Sequence, residues 1–225
     1  MKIKAFLPLF AATLIFTACK KNDSNPDTNN SASYINTNAG SSWTYHEDNS
    51  SGATPINFDY TITSSTQDST INGRKYHVYN YSYGGNQYLS VSGHDYYQYD
   101  SVPLVGGSFI ERLYLKDDAS VGTTWTQNFP LTIPDVPVPV TLVVTNKIAE
   151  KGISRTVNGI DYSNVTHVST SLSSALIPSG LTSSIDSYYA PNYGMIENST
   201  VVKLDFMGLS ENVNIQIKLM SSDLK

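Results

Sequence analysis

The strongest constraint on this chain is the step of its apolar residues, which recur at every second position rather than every third or fourth. Ile56, Phe58, Tyr60 and Ile62 alternate with Asn57, Asp59, Thr61 and Thr63. A strand sends successive side chains to opposite faces, so this row is one half-buried strand. Val213, Ile215, Ile217 and Leu219 alternate in the same way with Asn212, Asn214, Gln216 and Lys218, and His77, Tyr79, Tyr81 and Tyr83 form another row. Leu142 to Ile148, Ile160 to Val168 and Thr200 to Phe206 read alike. Turn pairs fall between the rows at Asn72-Gly73, Gly84-Gly85, Gly106-Gly107 and Asn158-Gly159. Asn and Gly are the residues that tight hairpins favour. No stretch of helical period stands out. The expected fold is all-β and antiparallel.

Two stretches break the pattern. Pro130, Pro134, Pro137 and Pro139 lie close together, and a residue without an N–H cannot sit in a central ladder. This segment is expected at a sheet edge or in an extended crossover. Ser169 to Ser184 is rich in serine but carries Leu172, Leu176, Ile177 and Leu181. It reads as a long loop or one short helix, capping the core or forming a lip over a cavity.

The chain also repeats itself. Gly40-Ser41-Ser42-Trp43-Thr44 recurs as Gly122-Thr123-Thr124-Trp125-Thr126, and Thr70-Ile71-Asn72-Gly73 as Thr156-Val157-Asn158-Gly159. Tyr96-Tyr97 has a later counterpart in Tyr188-Tyr189. Three matches in one order predict two pseudo-repeats, about 40–118 and 119–225, merged into a single β domain. Each tryptophan is expected to pack into the shared core.

Ahead of this body, Lys2 and Lys4 precede an uncharged run from Ala5 to Phe16, then Thr17, Ala18 and the single cysteine, Cys19. A basic start, a short apolar stretch and small residues before a cut make a secretory signal. The run is well short of the roughly 20 residues that span a bilayer. The segment resembles a bacterial lipobox, which implies a signal peptide at 1–18 and an acylated Cys19 as membrane anchor. Phe16 stands where leucine is usual, a variation found in Bacteroidetes lipoproteins. Residues 19–39, full of Asn, Asp and Ser, are expected to form a flexible tether. Lys20 after the cysteine, where such lipoproteins retained at the inner membrane carry aspartate, implies the outer membrane, on its periplasmic face or at the cell surface.

Loss of residues 1–18 removes two lysines and leaves twelve basic against nineteen acidic side chains, a net charge of −7. That balance argues against nucleic-acid partners. With Cys19 acylated, no thiol remains for a disulfide, a zinc-thiolate site or a nucleophile.

Gly40-Ser41-Ser42-Trp43-Thr44-Tyr45, Val121 to Trp125 and Tyr188-Tyr189-Ala190-Pro191-Asn192-Tyr193-Gly194 together resemble a group of Bacteroidetes lipoproteins. The resemblance implies a strongly curved antiparallel meander sheet, a half-barrel or open sandwich, distantly similar to the lipoprotein carriers LolA and LolB. It carries no catalytic residues with it, and the long helices that close the carriers' concave face are not evident here.

Motifs for chemistry are sparse. His46, His77, His94 and His167 stand singly, with no metal-ligand spacing. No nucleophile elbow, Ser-x-x-Lys or His-Glu-x-x-His motif occurs. Asp59, Asp95, Asp100, Glu111 and Asp186 could pair for glycoside hydrolysis, but their spacing does not point there. No cofactor, metal or catalysis is expected. The tyrosines stand out instead. Tyr79, Tyr81, Tyr83, Tyr97 and Tyr99 are candidates for a platform that stacks on a glycan or peptide, against the plainer reading of a cross-strand aromatic ladder. Three functions follow: a tethered, non-catalytic binder of a ligand or partner; a carrier or sensor of a lipidic molecule in an apolar groove; and a hydrolase in which Asp95, Asp100, His94 and His77 converge.

Overall fold

The computed structural model describes residues 33–101, 109–131, 140–206 and 208–225. The expected signal peptide, Cys19, the tether up to residue 32, the Gly106-Gly107 turn and most of the proline-rich stretch lie outside the described residues. Twelve strands follow one another: β1 (Ser42–Asn49), β2 (Ile56–Ile71), β3 (Arg74–Tyr81), β4 (Asn86–Ser92), β5 (Asp95–Ser101) and β6 (Phe109–Lys116). After these come β7 (Thr124–Leu131), β8 (Val140–Val157), β9 (Ile160–Ser173), β10 (Leu181–Ala190), β11 (Gly194–Phe206) and β12 (Leu209–Asp223). No helix occurs among the described residues.

All twelve strands belong to one sheet in the order β6-β5-β4-β3-β2-β1-β12-β11-β10-β9-β8-β7, and every described pairing is antiparallel. Two six-stranded meanders therefore lie side by side, joined where β1 pairs with β12. A like pair of hydrogen bonds opens each meander. Gly40 N–H donates to Ser64 O and Ser64 N–H to Ser41 O; in the second half Gly122 N–H donates to Ile148 O and Ile148 N–H to Thr123 O. Asn72-Gly73 turns β2 into β3 with φ of 51° and 81°, and Asn158-Gly159 turns β8 into β9 with φ of 50° and 80°. Positive φ at both central residues is the hairpin turn whose twist matches the strands. The tyrosine pair is different. Tyr96-Tyr97 lies in β5 but Tyr188-Tyr189 in β10, which are not equivalent strands, although each pair sits at a β-bulge.

The sheet curls further than a half-barrel, because its two edges meet. β6 and β7 share no backbone ladder, yet side chains stitch them together. Trp125 Nε1–H donates to Leu113 O at 2.8 Å, Leu113 N–H to Gln127 Oε1 at 2.8 Å, and Gln127 Nε2 to Glu111 O at 3.3 Å. Exposed strand edges template aggregation, and this seam satisfies edge groups without a thirteenth strand. Pro130 lies in edge strand β7, opposite Thr141, where its missing N–H costs little.

The core follows the inner wall. Trp43, Tyr45, Ile62, Tyr79, Val165, Ile196 and Leu219 make one cluster, and Tyr34, Tyr96, Leu115, Trp125, Ile148 and Val168 a second. Leu115, Ile148, Ile196 and Leu219 are wholly buried, each contributing about 1.5–3 kcal/mol. A third cluster of Phe129, Val140, Leu142, Val144 and Ile177 lies near the opposite end. The serine-rich stretch is mostly strand, not helix: β9 runs to Ser173, β10 starts at Leu181, and buried Ile177 anchors the turn between them.

Residues 33–39, expected within the tether, are in part packed against the sheet. Within residues 33–39, Tyr34 is buried, and its hydroxyl meets Thr166 Oγ1 at 2.9 Å. Tyr34 N–H donates to Tyr96 Oη at 3.3 Å, and Tyr79 Oη donates to Asn36 O at 2.8 Å. This segment is part of the fold because Tyr34 buries itself among the strands and Ile35, partly buried, packs beside it.

Candidate functional site

Inside the curl lies a cavity of about 460 Å³, within the range that holds one small ligand. Leu142, Val144, Leu172, Ile185, Val202 and Ile215 supply aliphatic wall. Tyr34, Ile35 and Asn36 form its floor, at the end of the sheet where the chain enters. Toward the other end an aromatic series leads outward. Tyr45 stacks on Tyr60 (5.5 Å between centroids), Tyr60 contacts Phe58 (5.8 Å), and Phe58 meets Tyr83 edge-on (6.4 Å). Tyr45 and Tyr60 line the cavity, whereas Tyr83 and neighbouring Ile56 are more than 60% exposed. That end of the sheet thus carries apolar surface into solvent.

The five candidate tyrosines do not form one platform. Tyr79 and Tyr81 line the cavity, and Tyr81 stacks on exposed Tyr83 at 4.9 Å. Tyr97 and Tyr99 alternate with cavity-lining Gln98 and Asp100, so they face the other way. There the Arg74 guanidinium lies 3.6 Å over the Tyr97 ring, and Tyr99 stacks on Phe109 at 5.5 Å. Glu111 holds Arg74 at 2.8 Å and also accepts the Tyr76 hydroxyl. A similar clasp recurs in the second half, where Arg155 lies over Tyr188 and is held by Glu197. Cys19 lies outside the described residues.

The residues considered for hydrolysis are separately engaged. Asp95 pairs with Lys116, Asp100 accepts from Gln98, and His94 meets Asp117. His77 lies between Ser64 Oγ (2.8 Å) and Asp68 (3.0 Å), His46 against Asp59, and His167 between Glu150 and Asp186. The hydrogen bond that His46 donates to the Asp59 carboxylate raises the His46 pKa. No group of three or more His, Cys, Asp or Glu suited to a metal ion is found among the described residues.

Cavity chemistry is set by phenols and amides. Burial pushes the phenols of Tyr45, Tyr60, Tyr79 and Tyr81 well above the ordinary value. Tyr96 is pushed up to about 12, first by burial and then by its hydrogen bond to Asp117. A group whose folded pKa is raised contributes stability that is intact below its unfolded value, near 10 for tyrosine, and lost above it. The thermal midpoint is therefore expected to hold steady up to about pH 9 and to fall beyond about pH 10. The buried phenolates should appear in ultraviolet absorbance together with unfolding. Ionisation of all the tyrosines near pH 10 in a still-folded protein would contradict this.

Sequence reasoning missed Arg112 and the role of Trp43. Both line the cavity, and the Arg112 Nε and the Trp43 indole N–H are buried without a hydrogen-bond partner. The other tryptophan, Trp125, spends its N–H on the seam.

Fold and cavity define the class: a single-sheet, twelve-stranded, nearly closed β-barrel around a ligand-sized interior. A candidate lipoprotein from Parabacteroides distasonis has a similar fold (TM-score 0.50, 11% identity), over 85% of this chain and 99% of that one. A candidate exported protein of YmcC-like fold from Bacteroides fragilis aligns over the same shares, with TM-score 0.42 and 10% identity. The fold implied by the sequence resemblance is thus shared with a candidate lipoprotein of the Bacteroidetes. No protein-family model and no curated protein matches the chain.

Proposed function

We propose that this chain is a lipid-anchored envelope protein that binds, without catalysis, one apolar or amphipathic molecule inside its barrel. The observation that carries the reading is the 460 Å³ cavity with its aliphatic walls. A body made only to support a surface epitope would gain by filling that volume, since voids forfeit contacts. The apolar lining favours a lipidic ligand over the glycan or peptide considered from the tyrosines, because Tyr97 and Tyr99 are engaged on the other face. Acylation of Cys19 would tether the barrel at the outer membrane, where such ligands occur.

The test is native mass spectrometry of the full chain isolated from its own envelope. One lipid-sized adduct per chain is expected. Ile185→Trp, which puts a ring into the cavity, should abolish the adduct and leave the thermal midpoint within a few degrees of wild type. A chain that never carries an adduct and takes up no added amphiphile would refute the proposal.

A further inference from the structure

The apolar wall is interrupted by one permanently cationic group. Arg112 projects from β6 into the cavity, in the same inward row as Ile110. It lies close enough to Tyr81 and Tyr189 to act electrostatically on both phenols. Elsewhere on the sheet the arginines are clasped: Arg74 by Glu111 and Arg155 by Glu197. Arg112 has no such carboxylate among the described residues, and its Nε is buried without an acceptor. Asp100, the acid on the same wall, is instead held by Gln98 Nε2 (3.1 Å) and the Ser101 amide (2.7 Å).

A second donor shares this condition. Trp43 is 95% buried on the cavity wall, and its indole N–H has no acceptor. Three of the amides that line the cavity are occupied. Asn146 accepts from Thr170, Asn198 donates to Ser187, and Gln127 closes the seam. These two buried donors on the cavity wall are left without acceptors. Leaving buried donors unpaired is costly, and more so for a charged one.

Resting on the reading of the cavity as a ligand site, we propose that the ligand is an anionic amphiphile. Its carboxylate or phosphate head would sit on the Arg112 guanidinium, and its alkyl chain would lie along the Leu142, Val144, Leu172 and Ile215 wall. The two oxyanions share the chemistry that matters, a planar or tetrahedral cluster of acceptors matched to the guanidinium fork. The apolar wall selects the chain, and Arg112 selects the head.

Isothermal titration of the full chain, carrying Cys19→Ser so that no acyl group of its own competes, separates the two claims. The probes are dodecanoate, dodecyl phosphate, dodecan-1-ol and inorganic phosphate. Both anionic amphiphiles are expected to bind at least about tenfold more tightly than the alcohol, as a charge-assisted hydrogen bond implies, and inorganic phosphate to bind far more weakly. Arg112→Gln should erase the preference, and Arg112→Lys should keep part of it. Equal affinity of wild type for dodecanoate and dodecan-1-ol overturns the proposal while the cavity reading stands. The wild-type comparison needs no variant to fold. A preference that survives in folded Arg112→Gln, or inorganic phosphate binding as tightly as dodecyl phosphate, also overturns it. Binding of none of the four probes defeats both readings.

Discussion

Tyr34→Ala is expected to lower the unfolding free energy by about 3–5 kcal/mol, the range for removing a buried aromatic ring. Tyr34→Phe should cost less, about 1–3 kcal/mol, the range for leaving a buried polar group unsatisfied. The difference between the two isolates what the ring does. Tyr34 is 5% exposed and meets Tyr96 edge-on at 5.8 Å between centroids. Its hydroxyl is the partner of Thr166, which is wholly buried. Alanine leaves a void beneath the cavity floor and an unpaired hydroxyl beside it. Phenylalanine leaves only the latter. Urea unfolding with a common slope gives both numbers. A tether residue would register in neither variant, so equal stability of Tyr34→Ala and wild type would return residues 33–36 to the tether.

That outcome bears on what could be read from the chain. Alternation located β2 and β12, because one face of each is apolar and the other polar: Ile62 and Leu219 reach the core while Thr63 and Lys218 do not. The Asn-Gly hairpins and the two tryptophan phrases marked equivalent points of the two meanders, because each needs a particular backbone at a particular place. Alternation says which residues share a face, but it does not say which face is inside when both carry aromatics. On β5, Tyr96 lies inside, Tyr97 and Tyr99 outside, and nothing in a run of tyrosines distinguishes them. Closure of the barrel was illegible for a related reason. The seam rests on Trp125 and Gln127 reaching backbone groups on β6, and such contacts leave no periodic trace. Arg112 follows Glu111 on β6, and the two charges look alike until the register sends one inward and the other to the Arg74 clasp. Tyr34 and Ile35 were two apolar residues in a polar run, too few to register as a buried segment.

Gly180→Ala is expected to be the most damaging glycine substitution among the described residues, although Gly180 does not occupy the left-handed region. A Cβ at this position would run into the Asp205 carbonyl oxygen and lie 3.0 Å from Ile177 Cγ2. Neither neighbour yields cheaply. The Asp205 N–H donates to Gly180 O at 2.7 Å, fixing the β9–β10 turn against the end of β11. Ile177 is 3% exposed and packs with Phe129, Val140, Leu142 and Val144. Relief requires either breaking the Gly180–Asp205 bond or withdrawing Ile177 from its cluster. Overpacking of this kind costs about 1–3 kcal/mol, and loss of the buried isoleucine contacts brings it toward the 2–5 kcal/mol range. The thermal midpoint should fall by roughly 4–20 °C for a domain of this size. Gly52→Ala is the control, since its φ is ordinary and its nearest neighbour would lie 3.9 Å away; it should change stability by less than about 0.5 kcal/mol. Leu142 and Val144 belong both to the Ile177 cluster and to the cavity wall. A loosened turn should therefore open that end of the barrel, speeding hydrogen exchange at Asp205 and raising the off-rate of a bound amphiphile while Arg112 stays in place. If Gly180→Ala matches Gly52→Ala in stability and in exchange at Asp205, the turn is not a clamp on the cavity.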